Sequence, residues 1–406
     1  MSTEKRVPEI RFKGFSGEWN YFSLEEISDV LDGDRGHNYP NGEDLKEQGH
    51  TLFLNASNVT KNGFKFDTRQ YITKEKSDSL GNGKLFLGDI VLTSRGSIGH
   101  IAWYNEDVTK KIPFARINSG MLILRVKDHI APSVISQYLK SPKGKKKIEG
   151  ISFGSAQPQL TKASVSKFSI SIPIEKTEQT AIGNTFQKLD SLINQHQQKH
   201  DKLSNLKKAM LEKMFPKQGE TTPEIRFKGF SGEWEEKPIC DLFTVTRGNV
   251  LAATKTSPAP TPEKRFPVYS SQTKNNGLMG FYDKYLFENA ITWTTDGANA
   301  GTVNFREGQF YSTNVNGVLL SDEGYANKAI AEILNKEAWK HVSHVGNPKL
   351  MNNVMSAIKI TIPTSIEEQT AIGNYFQKLD TLINQHQQQI TKLNNIKQAC
   401  LSKMFV

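Results

Sequence analysis

From residue 178 to residue 215 the apolar positions fall at Ile182, Phe186, Leu189 and Ile193, then continue through His196, His200 and Leu203, so the steps alternate between four and three. That spacing is a heptad seam, and the positions between are mostly Gln, Asn, Lys and Asp, as a solvated face requires. No proline or glycine interrupts the stretch between Gly183 and Pro216. The seam returns at Ile372, Phe376, Leu379, Ile383, His386, Ile390 and Leu393. Two helices follow, each roughly 57 Å long at 1.5 Å per residue. Neither fits inside one globular core. The intervening stretches read differently. Residues 85–104, 119–126, 289–305 and 314–320 alternate or carry β-branched runs between Gly, Asn and Ser turns, which predicts strands. Helical patches are expected near 132–149 and 326–342. Each of the two stretches is read as an α+β globule.

The chain is a duplication. Residues 8–19, PEIRFKGFSGEW, recur without change at 223–234. Residues 178–215 and 368–405 match at 28 of 38 positions. The first pair is displaced by 215 residues and the second by 190, so the two copies differ by 25 residues, all of them between the flanking repeats. Within those middles only Pro158, Leu160, Ile170, Ile172 and Pro173 line up, with Pro348, Leu350, Ile360, Ile362 and Pro363. One frame thus holds two unlike inserts. Drift after duplication would explain this, as would separate recognition tasks.

The seven-residue link 216–222 reaches at most roughly 25 Å and cannot return to the start of the first helix. If the two seams pack, the second helix runs back antiparallel, and a dumbbell with an approximate two-fold axis is expected.

Composition changes the picture little. Lys and Arg number 52 against 42 Asp and Glu, a net charge of +10. By segment, 1–177 carries +6, 178–215 +2, 216–367 zero and 368–406 +2. A polyanionic partner is favoured, weakly and unevenly. Two cysteines, Cys240 and Cys400, exclude a disulfide scaffold and a Cys-based zinc finger. The opening residues have no apolar core and no apolar run approaches 18 residues, so a cytoplasmic protein is expected.

No complete active site is found. Gly150–Gly154 fits G-x-S-x-G without the strand–turn–helix context that pattern needs. His196 and His200 stand four apart on a helix but lack a third ligand, and the position aligned with His200 is Ile390. His341 and His344 have no acidic cluster beside them and read as surface residues. Metal ligands and catalytic residues are therefore not expected.

The polar loops carry residues able to read base edges or hold phosphates. The candidates for DNA contact in the first insert are Arg35, His37, Asn38, Tyr39, Ser94, Arg95, Ser97, Gln157 and Gln159, with Lys143 and Lys145. In the second they are Gln272, Lys274, Asn276, Thr294, Thr295, Asn299, Asn314, Asn316 and Lys349. The same residue types also form turns.

Two unlike globules, each followed by a repeated long helix that opens on a turn (Pro173…Glu178-Gln179; Pro363…Glu368-Gln369), together with FSGEW, GDIVLTSRGSIG, DGDRGHNYP and QPQL, resemble the specificity (S) subunit of type I restriction–modification enzymes. The resemblance covers essentially the whole chain. It implies an α+β fold: two mixed α/β target-recognition globules separated by two long antiparallel helices forming a coiled coil, with pseudo-two-fold symmetry. The expected division is 1–175 and 217–365 for the recognition domains, 176–216 and 366–406 for the helices. It implies a non-catalytic DNA-sequence-specificity subunit that reads an asymmetric bipartite duplex target, with a spacer set by the helices. The implied partners are double-stranded DNA, two methyltransferase (M) subunits that carry S-adenosylmethionine and methylate adenine N6, and restriction (R) subunits that use ATP and Mg. No cofactor is expected in this chain. Phe186, Leu189, Ile193, Phe376, Leu379 and Ile383 are the expected subunit-interface residues. A coiled-coil scaffold with two protein-binding end modules is the alternative.

Overall fold

The computed structural model describes residues 7–152, 159–271 and 274–406. It packs as two units, Met1–His196 with Gln389–Val406, and Gln197–Gln388. The long helices are Lys176–Lys213 and Ile366–Met404. Each starts in one unit and ends in the other.

The two units repeat the same frame. In the first, strand Asn20–Ser23 pairs antiparallel with Ser169–Ile172, tying the beginning of the insert to its end. In the second, Glu235–Pro238 pairs with Lys359–Ile362 in the same way. The tryptophan that closes each dodecapeptide is buried: Trp19 meets Phe405 at 6.1 Å between ring centres, and Trp234 meets Phe215 at 6.3 Å. Phe186 stacks on Phe405 and Phe376 on Phe215, with interplanar angles of 22° and 20°. In the first unit Phe186 lies beside Phe405 and Asp190 pairs with Lys397. The two helix segments in this unit therefore run antiparallel. In the second, Phe376 lies beside Phe215, and Asp380 pairs with Lys207.

Each helix start is clamped. Arg11 donates from Nε and Nη2 to the two carboxylate oxygens of Glu178, both at 2.7 Å, and Arg226 does the same to Glu368. Both glutamates are buried, as are the glutamines that follow them. Gln179 Nε2 donates to the Pro173 carbonyl while its Oε1 accepts from the Ala131 amide. Gln369 Nε2 donates to the Pro363 carbonyl and its Oε1 accepts from Asn327. The repeated Glu-Gln dipeptide is thus a buried latch.

The inserts differ. The first holds a four-stranded antiparallel sheet, in the order Ser28–Asp32, Met121–Val126, Ile90–Thr93 and Ile101–Trp103. Beside it is a three-stranded sheet, Tyr71–Ile72, Thr51–Leu54 and Ala115–Ile117. The second holds one six-stranded sheet ordered Thr244–Arg247, Asn316–Leu320, Phe287–Thr294, Val303–Ser312, Phe266–Tyr269 and Leu278–Tyr282. The expected helical patches form Pro132–Lys140 and Pro142–Ile151 in the first insert and Lys328–Ala338 in the second.

The expected subunit-interface residues divide by burial. Phe186, Phe376 and Leu379 are buried inside their own units. The opening turns of each helix are core elements of the globule that precedes them, so the seam there is occupied. Leu189, Ile193 and Ile383 are half-buried.

Candidate DNA interface

In the first unit, sheet register brings three loops to one edge. Asp32 pairs with Leu122 and Thr93 with Met121. Two strands therefore end where the third begins, and loops 33–39, 94–100 and 118–120 share that edge. Hydrogen bonds knit them together. The Ser94 and Arg95 amides both donate to the Gly120 carbonyl, at 2.9 and 3.2 Å. Arg35 Nη2 donates to the Ser119 carbonyl at 3.3 Å and lies 3.5 Å from Asp32. The Ser119 amide donates to the Tyr39 hydroxyl, and Asn38 donates to the Ser79 carbonyl. Gly33 must be glycine, because a Cβ there would stand 2.2 Å from the Asn118 carbonyl oxygen. Asp34 accepts the amides of Gly36 and Gly81. The Gly36 amide, helped by Gly81, Arg116 and His37, holds its carboxyl below the usual range.

The expected contact residues divide accordingly. Arg35, His37, Arg95 and Ser97 are exposed on this edge. Ser94 is buried and Tyr39 packs edge-on against Phe53, so both build the loops and do not project from them. Gln159 is half-buried beside Leu160, whose amide donates to the Ser94 carbonyl. Helix Pro142–Ile151 places Lys145 in solvent and Lys143 half-buried, and its Ile148 lies against the turn at Gly99. Gln157 lies outside the described residues, as does the end of the G-x-S-x-G stretch.

In the second unit the loops again converge. The Thr295 amide donates to the Val315 carbonyl, Asn299 Nδ2 to the Ser271 carbonyl, and the Thr313 hydroxyl to that of Ser270. They surround a cleft of about 90 Å³ lined by Ser270, Asn276, Thr294, Asn299, Asn304 and Arg306. Three of these, Asn276, Thr294 and Asn299, were expected from the sequence. Asn314 and Lys349 are exposed, with Lys349 Nζ 3.9 Å from Asp296. Thr295 and Asn316 are buried, so they face the interior. The Thr295 hydroxyl is shared between Asp296 and the Val315 carbonyl. Gln272 lies outside the described residues; Lys274 opens a short 3-10 turn, Lys274–Gly277.

Arg306 was missed. It is 6% exposed, donates from Nε to the Thr292 hydroxyl at 3.0 Å, and stacks 3.8 Å over the Tyr269 ring. The sequence does carry a signal. In Val303-Asn304-Phe305-Arg306 the polar residues alternate onto one strand face, and Asn304 pairs with Thr292 across the ladder. An arginine inside a strand, on a polar face, marks a buried polar site.

His341 and His344 are exposed, and no group of three His, Cys, Asp or Glu able to hold a metal occurs among the described residues. No helix among them is long and apolar enough to cross a membrane.

Comparison with known proteins joins these observations. The model of the type I restriction modification DNA specificity domain matches residues 16–205 and 231–395. The chain is 41% identical over 142 residues to the N-terminus of the type I specificity subunit S.MpnORF289P of Mycoplasma pneumoniae, covering 33% of this chain and 71% of that one. It is 33% identical over 154 residues to the specificity subunit of the type I restriction enzyme MpnII from the same organism, covering 37% and 45%. The crystal structure of a type I restriction–modification S subunit from M. genitalium superposes with a TM-score of 0.68 over 98% of this chain and 99% of that one, at 17% identity. That likeness shows the fold. With two copies of the domain spanning most of its length, the chain belongs to the specificity-subunit family of type I restriction–modification systems.

Proposed function

We propose that this chain reads an asymmetric, bipartite duplex target, one half-site per unit, and brings it to catalytic partner subunits. The observation that carries the reading is one frame, repeated clamp for clamp, presenting two unlike loop edges. Two similar mounts with different readers suit two different half-sites. In the first unit Arg35, His37, Arg95 and Ser97, with Lys145, are the proposed DNA contacts. In the second they are Asn276, Thr294, Asn299, Asn314 and Lys349. Backbone-holding lysines would set register, and the guanidinium side chains of the first unit and the Asn314 amide of the second would read base edges.

The partners follow from family membership as proposals. Two methyltransferase subunits would supply S-adenosylmethionine chemistry at adenine N6, and restriction subunits would supply ATP- and Mg-dependent steps. This chain would contribute recognition and no catalytic group. Leu192, Leu206 and Ile396 are 43%, 40% and 41% exposed on the long helices. They replace the buried Phe186 and Phe376 as proposed contacts for the methyltransferase subunits. Family membership disfavours a plain protein-binding scaffold.

The test is an insert exchange. Replacing the segment between the two ribbon strands, residues 24–168, with that of another family member should change one half of the methylated motif, read by methylome sequencing. Change in both halves would refute independent readers.

A further inference from the structure

We infer that the cleft above Arg306 is an anion site that seats one backbone phosphate of the duplex, so Arg306 sets register and does not read sequence. The inference rests on the proposed reading of this unit as a DNA reader. Three observations carry it. First, the guanidinium is buried without a counter-charge. Its neighbours are the Thr292 hydroxyl and the Tyr269 ring, and among the described residues no carboxylate pairs with it. Residues 272 and 273, outside the described residues, are Gln and Thr, so neither is acidic. A buried, uncompensated cation costs stability. Burial pushes Arg306 down to about 10, so it is still charged at neutral pH. A protein holding such a charge in an open cleft is prepared for an external anion.

Second, depth and size select among anions. The cleft holds about 90 Å³, several times the roughly 10–15 Å³ that one water needs on the same measure. That leaves room for the oxygens of one phosphate beside the guanidinium. Arg306 sits on the strand floor and cannot extend into a groove to meet a base edge. A phosphate protrudes from the duplex and can come to it. The rim supplies neutral donors, the Asn276 and Asn299 amides and the Thr294 and Ser270 hydroxyls. Hydrogen bonds to a charged partner in such a partly desolvated site are the strong ones.

Third, residues 216–367 carry no net charge. No general excess of positive charge in this segment is available to hold DNA. One well-placed buried cation is a way for a neutral reader to gain a positional anchor.

The test uses the full chain and Arg306→Met. In chloride-matched buffer, inorganic phosphate should raise the unfolding temperature of the wild type and leave that of the variant unmoved. Without phosphate, the variant should unfold no earlier than the wild type, because a buried charge has been removed. A purely structural arginine would give the opposite. With duplex DNA, bound with the methyltransferase partners, the slope of log affinity against log salt should fall by about 0.9. That equals about a 3.5-fold smaller loss between 50 and 200 mM salt, on cognate and unrelated duplexes alike. Arg306→Lys keeps the charge and should keep the slope; it decides the matter if Arg306→Met fails to fold. An equal phosphate response in Arg306→Met and wild type overturns the inference. So does a loss confined to the cognate duplex at unchanged slope, which would make Arg306 a base reader. A wild-type complex without sequence preference defeats the specificity reading, while the phosphate arm still judges Arg306.

Discussion

Removing Arg226 tests the account of the frame most directly. Its guanidinium meets both oxygens of Glu368 at 2.7 Å, and the glutamate side chain is 2% exposed. Arg226→Ala leaves that carboxylate buried and unpaired, a change that costs about 3–5 kcal/mol. Glu368 stands in the first turn of its helix, where the macrodipole returns up to about 1 kcal/mol. The expected loss is therefore at the lower end, about 3 kcal/mol. At 1.36 kcal/mol per tenfold, local opening should rise about 160-fold. A two-unit chain need not unfold in one step, so amide hydrogen exchange of residues 366–380 is the suitable measurement. Arg226→Met combined with Glu368→Leu removes both charges and should stay within about 1 kcal/mol of wild type. The twin clamp is an internal control. Arg11→Ala should expose residues 176–190 to the same degree and leave 366–380 protected. Opening that rises less than tenfold in Arg226→Ala, or as far in the double variant, would refute the clamp.

Three further outcomes are expected. In Gly183→Ala the new Cβ would stand 1.9 Å from Ser133 Oγ, so about 1–3 kcal/mol should be lost in urea unfolding; Gly373→Ala, whose Cβ meets nothing nearer than the Ala329 amide nitrogen at 3.3 Å, should lose less. Burial pushes Lys140 from 10.5 down to about 8, with Asp190 opposing and Lys397 and Lys145 adding to the shift. The unfolded chain then binds more protons between pH 8 and 10.5, so stability rises with pH across that window. Lys140→Met should lose this contribution, and equal pH slopes in the two proteins would count against it. Phe405→Ala removes a ring packed on Trp19, Tyr138 and Phe186 and should cost about 3–5 kcal/mol in thermal unfolding.

The frame was legible in the sequence because its signals are local and doubled. A seven-residue rhythm and an identical dodecapeptide need no knowledge of distant contacts. What the dodecapeptide does was not legible. Arg11 finds Glu178 across 167 residues, and no local pattern announces such a pairing. Glu178 and Gln179 have the polarity of a solvated helix face yet are buried, because their partners come from elsewhere in the chain. The spacing predicts an apolar seam, and its first residues are claimed by the preceding globule, where Phe186 and Phe376 are buried. Strands were readable in both inserts; their order was not, since alternation fixes a face and leaves the neighbour open. The same limit applies to the loops. Asn276, Thr294 and Asn299 were drawn from turn chemistry and meet at one cleft, whereas Thr295 and Asn316, alike in type, turn inward.

Because the first unit's core includes Leu401, Met404, Phe405 and Val406, its two parts are separated by the whole of the second unit in the order of synthesis. On the ribosome the second unit, Gln197–Gln388, can close as soon as its own residues emerge. The first must wait for Leu401–Val406, roughly 10–40 s after its own first part is made at about 5–20 residues per second. During that interval the side of Trp19 and Phe186 that Phe405 will cover is bare. The earlier-made unit is thus the later-finished one, and a growing chain is most open to chaperones at its oldest end.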